Sequence, residues 1–256
     1  MVIWDSRLYR RYDAERTRPA IDLAARVSVN APAHVVDLGC GPGNSTRVLA
    51  DRWPGASLTG LDSSTQMLAA ARADHPGWRW VEADIATWSP AVPFDVVFSN
   101  AALQWVGDHD VVFPRLLRQV ASGGALAVQM PANYDAPVHR AIRELASSGA
   151  WRHSFAHVAR DWFVHAPQAY YDFLAPHAST VDIWTTEYLH VLDGIDAVVD
   201  WYQGTGLRPW LQALARDGDR AGFLADFRAA VAPHFPERHD GRVLFPFKRL
   251  FVVAYR

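Results

Sequence analysis

Three glycines at alternating positions, Gly39, Gly41 and Gly43, follow an acid set in a short apolar run, Val35-Val36-Asp37-Leu38. Residues without side chains let a backbone approach a ligand closely, with free N–H groups turned outwards. Asn44, Ser45 and Thr46 come next and can cap a helix through Val48, Leu49 and Ala50. Strand, glycine turn and helix N-terminus in that order form a nucleotide-type crevice. The dinucleotide fingerprint would need a glycine at position 44, which is Asn44, and no phosphate-binding Walker lysine follows. Dehydrogenase chemistry therefore loses its main support. Asp37 at the strand end repels a phosphate and suits an ammonium, directly or through water.

More polar residues fall at the ends of later apolar runs. Leu58-Thr59-Gly60-Leu61 ends in Asp62, about where an acid takes ribose hydroxyls. Trp80-Val81-Glu82-Ala83-Asp84-Ile85 is expected as a strand ending in Asp84. Phe94-Asp95-Val96-Val97-Phe98-Ser99 leads to Asn100. Open parallel sheets bind ligands at the edge where these residues lie. S-adenosylmethionine carries an ammonium, a carboxylate, a ribose and an adenine but no phosphate, and so suits this set. Any single acid of the series is better explained as an ordinary helix cap or surface charge, whereas all of them in this order and phase are not.

At this point the chain resembles the class I S-adenosylmethionine-dependent methyltransferases and, within them, the trans-aconitate 2-methyltransferase family. The broad likeness rests on Asp37–Thr46, Thr59–Ser64 and Val81–Ile85. The narrower one rests on Glu15–Ala20, Gln104-Trp105, Gln129–Pro131 and Gly206–Trp210. The resemblance implies an α/β fold: a Rossmann-like, seven-stranded, mostly parallel, doubly wound sheet with an inserted helical cap before the last strand. It implies S-adenosylmethionine as cofactor. Gly39, Gly41 and Gly43 would line its methionine part, with Asp37 beside them. Asp62 and Ser63 would take the ribose, and Asp84 and the Ile85 N–H would read the adenine. Asn100, Ala101, Gln104 and Trp105 would sit next to the methyl group, with Gln104 and Trp105 positioning. Trp105 would either wall the sulfonium by a cation–π contact or simply pack. Tyr9 and Tyr12 would close over the cofactor carboxylate, and Tyr170, Tyr171 and His190 would face the pocket from the cap.

Composition agrees with a single enzyme of 256 residues, half of them apolar, which is ample for a large core. A net charge of −2 gives no electrostatic case for nucleic acid or an anionic membrane. Cys40 is the only cysteine, so neither a disulfide framework nor a thiolate metal site is expected, and a cytoplasmic setting fits. No apolar run approaches the length of a membrane span, and residues 1–30 show no signal-peptide segment. His153 and His157 are spaced to share a metal, but no third ligand is evident. The oligomeric state is not encoded in any feature of the sequence.

The alternation of patterns predicts helical segments over residues 5–29. Parallel strands are expected near 34–38, 57–61, 78–81, 94–99 and 124–129, with crossover helices after Asn44, near 64–73 and near 110–121. Ser122-Gly123-Gly124 reads as a helix stop before the fifth strand. Residues 135–176 read as mainly helical, 181–190 as a sixth strand and 249–255 as the last. One domain is expected over 1–256. It comprises an N-terminal cover (1–30), a cofactor-binding core (31–130), cap segments (131–178 and 191–247) and final strands (179–190 and 248–256). Phe223, Leu224, Phe227 and Val231 form an apolar stripe, expected to pack onto the sheet domain.

A carboxylate is already ionised at neutral pH, so esterifying it by methyl transfer needs no general base. The absence of a convincing catalytic triad is consistent with that. Such an enzyme works by holding the nucleophile in line about 3 Å from the methyl carbon. A small polycarboxylic acid calls for cationic clamps, and arginine's planar fork pairs a carboxylate best. Arg18 and Arg208 are the first candidates, with Arg16 and Arg249 behind them; each is equally readable as a surface ion pair. The sequence favours formation of the monomethyl ester of trans-aconitate. Another small di- or tricarboxylic acid, a natural-product hydroxyl, or a non-catalytic cofactor-binding role remain open alternatives.

Overall fold

The computed structural model describes residues 12–158 and 162–256. Its elements in chain order are α1 (Asp13–Arg26), β1 (His34–Leu38), α2 (Asn44–Arg52), β2 (Ser57–Asp62), α3 (Thr65–Asp74), β3 (Arg79–Glu82) and β4 (Phe94–Asn100). They continue with α4 (His109–Arg118), β5 (Val120–Pro131), α5 (Pro137–Ser147), α6 (Pro167–Leu174) and β6 (Thr180–Leu192). Last come α7 (Gly194–Gln203), α8 (Arg208–Ala213), α9 (Asp217–Val231) and β7 (Val243–Tyr255).

The strands form one seven-stranded sheet in the order β3-β2-β1-β4-β5-β7-β6. The pairs β3–β2, β2–β1, β1–β4 and β4–β5 are parallel, and β7 runs antiparallel to β5. The chain winds outwards from β1 through β2 and β3, then returns to lay β4 on the other side of β1. The expected ligand edge is thus the carboxyl end of β1 and β4, where the winding reverses.

The chain partitions into two compact units. The sheet unit holds Arg16–Ala132, Trp162–Thr186 and Arg249–Arg256. The helical unit holds the described residues of Met1–Glu15, Asn133–Asp161 and Glu187–Lys248. In the sheet unit, Val36, Leu38, Val97, Leu126 and Val128 alternate with residues of the opposite face. They pack with Phe113, Leu116 and Leu117 of α4. Each such side chain contributes about 1.5–3 kcal/mol by leaving water. In the helical unit, Phe155, Trp201, Phe223, Phe227 and Phe245 are fully or almost fully buried and meet mostly edge to face. Offset and T-shaped ring contacts of this kind are favoured by the aromatic quadrupole.

Several boundaries differ from the sequence expectation for identifiable reasons. β3 ends at Glu82, so Asp84 lies in the turn beyond it. α4 stops at Arg118, and Ser122-Gly123-Gly124 is not a helix stop. Phe94 pairs with Val120 but Val96 with Ala125, so residues 121–124 form an irregular step within β5. Gly123 takes a φ of 77° there, and a Cβ on Gly124 would lie 2.4 Å from the Asp95 carbonyl oxygen. β7 begins at Val243 because Val243, Phe245 and Phe247 are buried at alternate positions despite Pro246. Among the described residues from 135 to 176 there are two helices, with turns and irregular chain between them. The stripe of Phe223, Phe227 and Val231 packs on α5 and α7 within the helical unit. The sequence expectation is packing onto the sheet domain; the neighbours observed for the stripe are these helices of its own unit.

Candidate functional site

Asp37, the three glycines, Asp62, Ser63, Asp84, Ile85, Asn100 and Ala101 lie in the sheet unit, at the carboxyl ends of β1, β2 and β4 or in the turns that follow β1 to β4. Gly39, Gly41 and Gly43 all have positive φ, of 70°, 54° and 100°. The loop is tied to β2 by the Gly39 and Cys40 N–H groups, which donate to the Leu61 carbonyl at 2.7 and 3.0 Å. Gly41 N–H donates to Asp62 Oδ2 at 2.9 Å, and Ser64 N–H to Asp62 Oδ1 at 2.8 Å. Asp62 therefore shapes the loop from the neighbouring strand end, and each of its oxygens retains a lone pair. Ser63 beside it is exposed.

Ser45 and Thr46 do not cap α2. The cap position is Gly43, and no side chain caps the helix. The two hydroxyls instead donate to Asp37 Oδ2 at 2.6 and 2.7 Å. Asp37 is fully buried, and its Oδ1 has no hydrogen-bond partner among the described residues. Burial pushes its carboxyl up to about 6, against the lowering effect of the two hydroxyls. Gly60 explains a feature that the motifs did not reveal. A Cβ there would lie 2.2 Å from the Trp80 ring, and one on Gly43 would lie 3.1 Å from the same ring. Trp80 thus fills the space between the glycine loop and β2.

Asp84 is exposed, and its Oδ1 accepts from Ala86 N–H at 2.8 Å. Ile85 is buried. The Arg115 guanidinium of α4 donates to the carbonyls of both Ile85 and Trp88, and Gln119 Nε2 donates to Trp88 at 2.9 Å. Arg115 fixes the turn that carries Asp84 and Ile85, yet it stands too far along the chain for any local motif to reveal it.

After β4, Ala101 holds a φ of 55°, a left-handed conformation that costs a non-glycine residue energy. Its N–H donates to the Gln129 carbonyl at 2.9 Å, and its own carbonyl accepts from Gln104 Nε2 at 2.7 Å. Asn100 Oδ1 and Gln104 Oε1 are buried and have no partner among the described residues. Trp105 ends the following 3-10 turn and is 57% exposed, so it contributes little to the core.

A family profile described as "Methyltransferase domain" matches residues 35–124. A trans-aconitate 2-methyltransferase of Azoarcus sp. is 48% identical over 256 residues, covering all of both chains. One of Acidovorax ebreus is 50% identical over 254 residues, covering 99% of this chain and 98% of the other. The chain belongs to the trans-aconitate 2-methyltransferase family. Solved structures agree on the fold. The YcgJ protein of Bacillus subtilis superposes with a TM-score of 0.59 at 12% identity, covering 93% of this chain and 99% of that one. A phosphoethanolamine N-methyltransferase 2 of Haemonchus contortus, solved with S-adenosylhomocysteine, gives 0.57 at 15% identity, covering 93% of this chain and 52% of that one.

The site fits the cofactor of this family. Nothing lies within 4 Å of a Cβ built on Gly41, so the loop leaves open space beside its backbone. The unpartnered Asp37 Oδ1 and Asn100 Oδ1 are acceptors of the kind an ammonium requires.

On the acceptor side, the candidate arginines are not one group. Arg16 is half-buried and Arg18 exposed on α1. Arg249 is buried on β7 opposite Pro131, with Nη1 donating to Gln129 Oε1 at 3.2 Å. Arg208 is the exposed first residue of α8 and belongs to the helical unit. The three residues expected on the cap side also separate. Tyr170 is buried in the sheet unit, donating to His109; Tyr171 is 56% exposed; and His190 is buried in the helical unit, stacked on Tyr188. Tyr12 donates to the Ala197 carbonyl at 3.0 Å and packs on Trp201. Tyr9 lies outside the described residues.

Proposed function

We propose that this chain transfers a methyl group from S-adenosylmethionine to a carboxylate of trans-aconitate, giving the monomethyl ester. The observation that carries this is the 48–50% identity, over essentially the whole chain, to relatives named for that reaction. Bound S-adenosylmethionine supplies a methyl group on a cationic sulfur, which the carboxylate oxygen displaces in line, the C–S electron pair returning to sulfur. The chain's own part is binding and orientation. Asp37 and the loop of Gly39, Gly41 and Gly43 hold the methionine end. Asp62 and Ser63 take the ribose, and Asp84 with the Ile85 N–H takes the adenine. Asn100, Ala101, Gln104 and Trp105 border the methyl group. The acceptor is a small polycarboxylic acid, for which Arg249, Arg18, Arg16 and Arg208 are the candidate clamps.

No proton has to be removed from an ionised carboxylate, so holding the two reactants in line can supply most of the acceleration, on the order of 7–11 kcal/mol. We also infer a cytoplasmic setting, consistent with a lone, buried Cys40. Among the described residues no helix is long and apolar enough to cross a membrane. The test is methyl transfer from labelled cofactor to trans-aconitate, with cis-aconitate, citrate and isocitrate alongside. Selective labelling of trans-aconitate, released by base as an ester is, is the expected result. Absence of labelling in a protein that still binds the cofactor would defeat the acceptor assignment.

A further inference from the structure

Gln129 lies near the carboxyl end of β5, directly opposite Asn100 of β4 in the parallel ladder, so the two side chains share a face of the sheet. It is fully buried. Its orientation is fixed by chemistry, because a guanidinium can only donate. Arg249 Nη1 meets Oε1 at 3.2 Å, so the amide nitrogen must be turned away from the arginine. That nitrogen, with two N–H groups, is buried and has no hydrogen-bond partner among the described residues. Buried donors are rarely left unpaired, and each such case calls for an explanation.

We propose that Gln129 is a specificity-determining residue for the acid acceptor, its Nε2 donating to the carboxylate that receives the methyl group. The inference rests on the proposed reaction and adds to it the residue that orients the nucleophile. An amide suits this position better than a cation. A neutral donor aligns one oxygen of the carboxylate without drawing off the charge that makes the other nucleophilic, and it also tolerates the neutral ester product. Arg249 acts through Gln129 by holding Oε1, and thereby aims the donors. Gln129 adjoins Asn100, the strand end bordering the methyl group, so the nucleophile would be presented there.

Two variants separate this role from simple packing. Gln129→Glu keeps an acceptor for Arg249 but replaces the donors with a negative oxygen. Gln129→Met keeps the volume and removes both functions. The expected order of kcat/KM for trans-aconitate is Gln, then Met at least tenfold lower, then Glu at least a hundredfold lower. Cofactor Kd by calorimetry should stay within about threefold throughout. If Gln129 only fills space and partners Arg249, Glu should outperform Met, and that reversed order would overturn the proposal. So would cofactor affinity falling in parallel with turnover. If the unmodified protein forms no ester, the proposed reaction fails on its own. Gln129 is then judged by trans-aconitate binding in the presence of S-adenosylhomocysteine: weakening in the order Met, then Glu supports it, and equal affinity in all three proteins overturns it.

Discussion

Gly39 and Ala102 come so close that a Cβ on the glycine would stand 2.2 Å from the Ala102 Cβ. The first residue of the glycine loop is thus seated against the turn after β4, and the loop and that turn are packed as one object. Gly39→Ala would add this overlap to the left-handed φ of 70°, which alone costs a non-glycine residue about 1–2 kcal/mol. The loop must move, and cofactor Kd should rise at least tenfold. Ala102→Gly in the same chain removes the overlap but not the φ penalty, so it should restore part of the affinity. Calorimetry on the four members of this double-mutant cycle measures the coupling. Independent effects would mean the contact is not what requires glycine.

Asp37 should give stability an unusual pH dependence. Its folded carboxyl is raised to about 6, chiefly by burial, above the unfolded value near 4. Between those values the folded state binds more protons than the unfolded one, so this group's contribution falls as pH rises and is level above about 6–7. The span is roughly 2–3 kcal/mol. Asp37→Asn, which can still accept from Ser45 or Thr46, removes the titration. Its melting temperature relative to the unmodified protein should therefore climb from pH 4 to pH 7 and then stay constant. A difference that does not change with pH would mean that Asp37 titrates normally.

The alternating and helical periods of this chain reveal most of its strands and crossover helices, because those patterns are local. Asp37, Gly39, Asp62 and Asn100 are legible for the same reason: each sits at a fixed offset from an apolar run. What sequence does not show is which distant group a side chain meets. Ser45 and Thr46 look like helix caps and instead bind a strand carboxylate. Arg115 serves a turn about 30 residues before it. Gln129 stands out in sequence only as part of a likeness, and its role needs the partner 120 residues away that the fold brings to it. Gly60, in mid-strand, is a usable sequence signal of a close approach, and Trp80 lying over it is what requires the glycine.

Arg208 remains a candidate clamp on the helical unit. It is exposed at the first turn of α8, following Gly206, where a Cβ would press within 3.0 Å of the Tyr202 ring. That close packing fixes the chain from which Arg208 projects. Arg208→Ala should raise the KM for trans-aconitate about tenfold, with less than a twofold change for the cofactor. Steady-state kinetics with each substrate varied in turn will show it. Equal changes in both constants, or none, would remove Arg208 from acceptor binding.

His109 and Tyr170 form the buried brace behind the turn of Gln104 and Trp105. The Leu103 carbonyl, 2.9 Å from Nε2, can only accept, so Nε2 carries the proton and Nδ1 must accept. Tyr170 then donates its hydroxyl to Nδ1 at 2.8 Å while accepting from the His165 N–H at 3.1 Å. Every polar atom in this chain of bonds has one assignable role, and together they tie α6 to the turn. Tyr170→Phe leaves the buried His109 Nδ1 unpaired, together with the less buried His165 N–H, and should cost about 1–3 kcal/mol in denaturant unfolding. It should also lower kcat severalfold, with little change in cofactor Kd, because the turn rather than the glycine loop loses its support. Burial holds His109 below its ordinary pKa, so the folded state takes up this proton less readily than the unfolded one. Its contribution is complete above about pH 6.5 and declines as pH falls below that. His109→Gln should flatten that acid limb of the stability curve. If the limb persists unchanged, another group is responsible for it; if Tyr170→Phe leaves both stability and kcat intact, the brace does not support the turn.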